Sequence, residues 1–296
     1  MIKVAFQKDQ TYRYHYRSTL DGSVTMGQGS AFPIKADSSG DATWKVVSVD
    51  ESGNTTVDLT LSNLKTSFTG STGPGSTTTT TTTTTTQHIQ FEVAPTGEIR
   101  AGGGLTVPPP VLAGGTGLGP GPPGTDQFLA VLPGRAVKPG DTWTKTFTRP
   151  APFGQGSATY TTENRFLRYE NLPSGRAAVI RTTVTVPLDS SIDLHQVGAV
   201  AGGSGSPPPV PIGVQMSGKV QVKGASTTDS TTWFDVKTDR VERTTAVDTI
   251  DETTTFEGTS GLPSPLPAGT LPPGIQGLLG PQRFTARETF QLDLLS

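Results

Sequence analysis

Apolar side chains recur at every second position along much of this chain. Tyr12, Tyr14 and Tyr16 alternate with Arg13, His15 and Arg17, and Val57, Leu59 and Leu61 alternate with Thr56, Asp58 and Thr60. The pattern returns at Ala178, Ile180, Val184, Val186 and Leu188, at Val214, Met216, Val220 and Val222, and at Phe284, Ala286, Phe290, Leu292 and Leu294. A period of two sends successive side chains to opposite faces of a β-strand. Only one face is apolar, so the strands belong in antiparallel sheets covered on one side, not in a parallel sheet buried on both. Stretches such as VDESGNTTV (49–57) and ENLPSGRAAV (170–179) supply the Asp, Asn, Ser and Gly that hairpin turns need. Three short helices are expected, over 127–132 after Asp126 as N-cap, over 192–197 after a Ser pair, and over 275–279.

Three longer connections, 101–126, 198–211 and 258–281, are dominated by Gly and Pro and read as surface segments that cannot hold a core of their own. Between them the strand signals repeat in order. KDQTYRYHY (8–16) parallels KPGDTWTKTF (138–147), WKVVSVDESGNTTVDLTL parallels NRFLRYENLPSGRAAVIRTTVTV, and FEVAPTGEIRAGG parallels WFDVKTDRVERTTAV. This predicts two tandem β repeats, 1–104 and 127–296, joined by a Gly/Pro-rich linker over 105–126, with one core shared between them as an option. One-faced strands with little helix to cover them must pack face to face or curl. The expected fold is all-β, with large antiparallel sheets forming a sandwich or a curled half-barrel.

The segments KDQTYRY, VDESGNTTV, APTGEIRAGGG, LPGRAVKPGDTW and TWFDVKTDRVERT together resemble an uncharacterised bacterial family of secreted or lipoprotein-like β proteins. Its members pair a Gly-Asp-Thr/Ser-Trp segment with a turn-rich hairpin segment in two repeats. The resemblance covers most strands and none of the loops, and implies an extracytoplasmic location. It brings no catalytic residues with it, and the chain as written shows neither a signal peptide nor a lipobox Cys. A long antiparallel sheet of this kind is also similar, at the level of fold alone, to the half-barrels of bacterial lipoprotein carriers.

Composition narrows the chemistry. Charged residues make up 16% of the chain and the net charge is −2, with Lys and Arg scattered, so no footprint for nucleic acid exists. No apolar run is long enough to be a transmembrane helix. With no cysteine, thiolate catalysis, disulfides and Cys-based metal sites are excluded. The three histidines, His15, His88 and His195, lack metal-ligand spacing, and no metal or other cofactor is expected. Neither a Gly-x-Ser-x-Gly elbow nor a phosphate-cradling Gly loop is present.

Asp248, Asp251, Glu252 and Glu257 crowd into VDTIDETTTFE, where the apolar phase moves from Val241 and Val247 to Ile250 and Phe256. That shift predicts a bulge between Val247 and Ile250, on a strand that carries a solvated acidic face. A glycosidase would need two of these carboxylates across a sugar cleft. Asp141 and Trp143 recur as Asp9 and Tyr12, and the aromatic is expected to seal the start of a core strand.

The function expected is non-enzymatic: a binding or carrier protein whose sheet holds a hydrophobic small molecule against Tyr12, Tyr14, Tyr16, Ile180, Val184, Val186, Phe284 and Phe290. The alternative is a structural or surface protein, partnered by a cell-envelope component, in which these side chains only fill a core. The ten threonines from Thr77 to Thr86 bear on the choice, since they could be a sugar-bearing stalk or a strand. A hairpin turning near Pro74 pairs Val57 with Phe91, Leu59 with Ile89, Leu64 with Thr84 and Phe68 with Thr80, so that apolar residues meet and the threonines continue the ladder. Threonine suits this, being β-branched with a hydroxyl that tolerates water. Hydrogen exchange tests the hairpin: protected amides are expected within the threonine run, and uniformly unprotected ones from Thr80 to Thr86 would restore the stalk.

Overall fold

The computed structural model describes residues 6–26, 29, 31–73, 76–84, 86–100, 130–150, 157–193, 219–257 and 281–295. Within them the alternating segments form twelve strands: β1 (Thr11–Met26), β2 (Ala31–Val49), β3 (Thr55–Gly73), β4 (Ser76–Thr84), β5 (Gln87–Val93), β6 (Ile99–Arg100), β7 (Thr142–Pro150), β8 (Ser157–Leu172), β9 (Gly175–Asp193), β10 (Lys219–Asp235), β11 (Arg240–Glu257) and β12 (Gln282–Leu294). All belong to one sheet, ordered β6-β5-β3-β2-β1-β12-β11-β10-β9-β8-β7, with β4 added beside β3. Every described pairing between neighbours is antiparallel.

The hairpin register read from the sequence holds. Val57 faces Phe91, Leu59 faces Ile89, Leu64 faces Thr84 and Phe68 faces Thr80. β4 and β5 therefore form one interrupted return arm along β3.

The connections 50–54, 94–98, 173–174 and 236–239 lie at one end of the sheet, here called the lower end. The longer connections between β9 and β10 and between β11 and β12 join strands at the upper end. Two of the lower entries are built alike. Before β1, the Gln10 amide donates to the Gln7 carbonyl (3.1 Å) and Val46 N–H to Gln10 O (2.9 Å). Before β7, Asp141 N–H donates to Lys138 O (3.0 Å) and Phe166 N–H to Asp141 O (3.0 Å). Each places a left-handed residue just ahead, Asp9 (φ 67°) and Gly140 (φ 96°), and each partner strand bulges directly after its bonded residue, between Val46 and Ser48 and between Phe166 and Arg168.

The ladder stays open, yet its two edges meet. Eleven strands laid flat would separate β6 from β7 by about 48 Å, at about 4.8 Å per step. Instead Lys145 Nζ on β7 lies 3.3 Å from Glu98 Oε2, just before β6. Residues 130–132 bridge this seam: Leu132 N–H donates to Thr96 O (2.7 Å) and Trp143 Nε1 to Val131 O (2.8 Å). The sheet is thus curled so far that its apolar face packs against itself.

Ala130, Val131 and Leu132 are not helical, contrary to the expectation over 127–132. Their side chains alternate: Ala130 and Leu132 enter the main core, whereas Val131 joins Phe147 and Tyr160. A helix could not divide them so, because burial at adjacent positions on opposite sides needs an extended backbone. Ile192 and Asp193, expected to begin a second helix, are instead the last residues of β9. The third, 275–279, lies outside the described residues.

One main core joins both halves of the chain at the lower end, where Tyr14, Trp44, Val57 and Phe91 pack with Phe166, Ile180, Phe234 and Leu292. A second, smaller cluster of Ile34, Ile250, Phe284 and Ala286 lies toward the upper end. If the buried bridge maintains the seam, Leu132→Ala should cost about 2–5 kcal/mol, whereas Lys145→Met, at a part-exposed ion pair, should cost less than about 1 kcal/mol. Urea unfolding of the two variants measures the contrast, and the reverse order would show that the charge pair holds the edges.

Candidate functional site

Pairing across the ladder shows which residues share the inner face. Tyr16, Ser18, Leu20 and Val24 of β1 sit opposite Leu292, Phe290, Glu288 and Phe284 of β12. Glu288 in turn sits opposite Asp248 of β11, and Asp248 opposite Thr228 of β10. Val184, Val186 and Leu188 follow on β9. Descending from the upper end, this face passes from the small apolar cluster through a polar belt to the main core.

All eight residues expected to line a ligand lie on the inner face, but they do not form one patch. Tyr12, Tyr14, Ile180 and Phe290 are buried in the main core, with Tyr16 packed against it. Phe284 belongs to the upper cluster, and Val184 and Val186 pack against Val131, Phe147 and Tyr160. Tyr14 is used structurally, its hydroxyl donating to the Val241 carbonyl (3.3 Å), and burial raises its pKa. The upper face adds Leu20, Val24, Phe68 and Leu188, which are only partly buried against the upper cluster.

The polar belt is an internal network. Thr182 Oγ1 donates to Asn164 Oδ1 (2.8 Å), and Asn164 Nδ2 donates to Thr162 Oγ1 (3.0 Å). Ser226 and Thr228 donate to Asp248 Oδ1 at 2.7 and 3.1 Å, and Ser18 donates to Glu288. Glu252, two rungs above Asp248, has no hydrogen-bond partner among the described residues, although it is only 4% exposed. Burial raises all three carboxyl pKa values. At Asp248 the two hydroxyls oppose the shift; at Glu288 the Ser18 hydroxyl opposes it and the charge of Asp248 adds to it. Glu252, with nothing to offset burial, is pushed up to about 7.

These positions correct the expectation of a solvated acidic strand. Asp248 (5% exposed) and Glu252 point inward and Asp251 outward, with Arg283 at 2.7 Å, while the Glu257 side chain lies outside those described. No bulge separates Val247 from Ile250; the register shift falls at Trp233/Phe234, opposite Val241. Glu288, which the sequence reading passed over, carries a detectable signal: it occupies the apolar parity between Ala286 and Phe290.

The other singled-out residues have local roles. His15 Nδ1 lies 2.9 Å from Asp41 on the outer face, and Thr60 bonds to His88 (3.1 Å). His195 lies outside the described residues. Trp143 packs at the edge of the main core, as expected of a strand seal, and the Asp141 carboxylate accepts the Lys138 amide (3.0 Å). Among the described residues no group of His, Asp and Glu could hold a metal ion. A lower-end cleft of about 910 Å³ contains Arg240 and Arg243, each already paired, with Glu242 (2.8 Å) and Asp293 (2.6 Å). No protein-family model matches the chain, and no curated protein is significantly similar to it.

The buried carboxyls fix the sign of a pH dependence. A glutamate raised from its ordinary range to about 7 keeps a proton in the folded chain that the unfolded chain has lost, so stability is present at low pH and falls as pH rises through this window. Asp41, held low by Asn63 and His15, and Asp251, held low by Arg283, act oppositely but only below the ordinary Asp range. The protein should therefore resist urea better at about pH 5 than at about pH 8, and Glu252→Gln should remove up to about 3 kcal/mol of that difference. Equal stability of wild type at the two pH values would refute the assignment.

Proposed function

We propose that this chain is a non-enzymatic extracytoplasmic binding or carrier protein for a hydrophobic or lipid-like ligand, held on the upper inner face of the curled sheet. The observation that carries it is the contrast between the two ends of one continuous apolar face. At the lower end the side chains fill the core, with Val46, Val57, Phe166 and Ile180 fully buried. At the upper end Leu20, Val24, Phe68 and Leu188 remain partly accessible, although they face inward. About eight strands already enclose as much interior as side chains fill, and at the upper end, where β4 takes the place of β5 and β6, this wall contains ten. Accessible apolar surface inside such a wall suits an apolar guest.

The family resemblance supports the extracytoplasmic location. The matched entries to β1 and β7, with their equivalent bulges, support an origin in two repeats, 1–104 and 127–296, around a linker over 105–126. One observation favours the alternative, a structural surface protein. The outer face carries cross-strand hydroxyl pairs, among them Thr146 with Thr161 (2.9 Å) and Thr185 with Thr227 (3.2 Å), which stiffen a sheet without any ligand.

Native mass spectrometry of gently purified protein distinguishes the two. A carrier should retain a stoichiometric apolar molecule, which Leu188→Asp or Phe68→Asp should release with the fold intact, whereas Ile180→Asp should unfold the chain. An empty wild-type protein that also fails to take up a neutral apolar fluorophore would leave the structural role.

A further inference from the structure

The carboxyl groups at the top of the polar belt have no obvious structural purpose. Asp248 and Glu288 are direct cross-strand neighbours on the inner face, an arrangement in which like charges oppose each other. Glu252 lies on the same face between Phe284 of β12 and Gly224 of β10, 96% buried and without a hydrogen-bond partner among the described residues. An unpaired buried carboxyl costs stability that a leucine would not. Its surroundings do not relieve it. Among the described inner-face side chains the cations are Lys145, held by Glu98 at the seam, and Arg240, held by Glu242 at the lower end. Among the described side chains the upper face carries none: β1 contributes Ser18, Leu20 and Val24, β2 Ile34 and Ser38, β3 Thr66 and Phe68, β9 Val184, Val186 and Leu188, and β10 Ser226 and Thr228.

We propose that the upper inner face selects amphiphiles with a cationic, nitrogen-based head group, with Asp248, Glu252 and Glu288 receiving the head and Leu20, Val24, Phe68 and Leu188 receiving the apolar part. This rests on the carrier function proposed above and adds the ligand's charge. Acid groups with no cation beside them among the described residues disfavour a fatty-acid carboxylate or a lipid phosphate, and the effect is strengthened by the low local dielectric. A head group with N–H donors supplies both the charge and the hydrogen bonds that Glu252 lacks. A bare divalent ion is a poorer match, because these carboxyls do not form a group that could hold a metal.

Three fluorescent probes test the charge preference on the full chain: N-phenylnaphthylamine as the neutral case, dansyl-aminoundecanoic acid with a free carboxylate, and N-dansyl-diaminododecane with a free ammonium. At neutral pH the ammonium probe should bind at least about tenfold more tightly than the carboxylate probe. Glu252→Gln, which keeps the side chain's shape, should remove most of that preference. Calorimetry of wild type in buffers of different ionisation enthalpy should show proton release with the ammonium probe, since a bound cation drives Glu252 to ionise. If the neutral probe binds but the two charged probes differ by less than about twofold, the carrier function stands and the charge preference is refuted. If no probe binds, both fail.

Discussion

A sheet with one apolar face has to hide that face, and the described residues offer almost nothing to hide it with except the sheet itself. Among the described residues no helix covers it, so the eleven-strand wall turns until its edges touch. The contact is made by three residues outside any strand. Ala130 and Leu132 enter the main core while Val131 enters the smaller one beside β7, and the backbone between them bonds to both rims. The bridge contributes to burial at the lower end, where Ala130 and Leu132 pack in the same core as Val57 of β3 and Ile180 of β9.

The curled wall leaves its two ends in different physical conditions. The lower end is packed with aromatic rings in mutual contact: Trp44 lies 5.3 Å from Tyr14 and 5.4 Å from Phe91, ring centre to ring centre. The middle carries hydroxyls and carboxyls that satisfy one another only in part. A polar layer in an interior is a cost unless every member is satisfied, and Glu252 is not. That imbalance is the physical ground for placing ligand chemistry above the belt and stability below it.

Much of this was legible in the alternation of apolar residues. The inner parity of β1, β9 and β12 could be read because one face is consistently apolar, and the β3–β5 register followed from bringing Val57 and Leu59 opposite Phe91 and Ile89. The acidic strand was misread because threonine is neutral to parity. In VDTIDETTTFE the residues between Ile250 and Phe256 fit either face, and Val247, which lies outside the core, appeared to carry the phase. Glu288 was passed over although it was readable, being the one acid on the otherwise apolar parity of Phe284, Ala286, Phe290 and Leu292. The bridge at 130–132 looked helical because six residues after an N-cap fit either period; only the edges it joins, far apart in sequence, decide for an extended form.

The threonine strand β4 has a register it does not itself encode. Each threonine is interchangeable with the one two places along, so sliding β4 past β3 by two residues would restore an identical set of side chains on each face. Its alignment is imposed from outside, by the register of β5 on β3 at the base of the same arm, where Phe91 pairs with Val57. The arm therefore behaves as a ruler with a fixed zero and unmarked divisions. Gaining or losing threonines in pairs would move only its tip, so its length is free to vary between related chains without disturbing the interior.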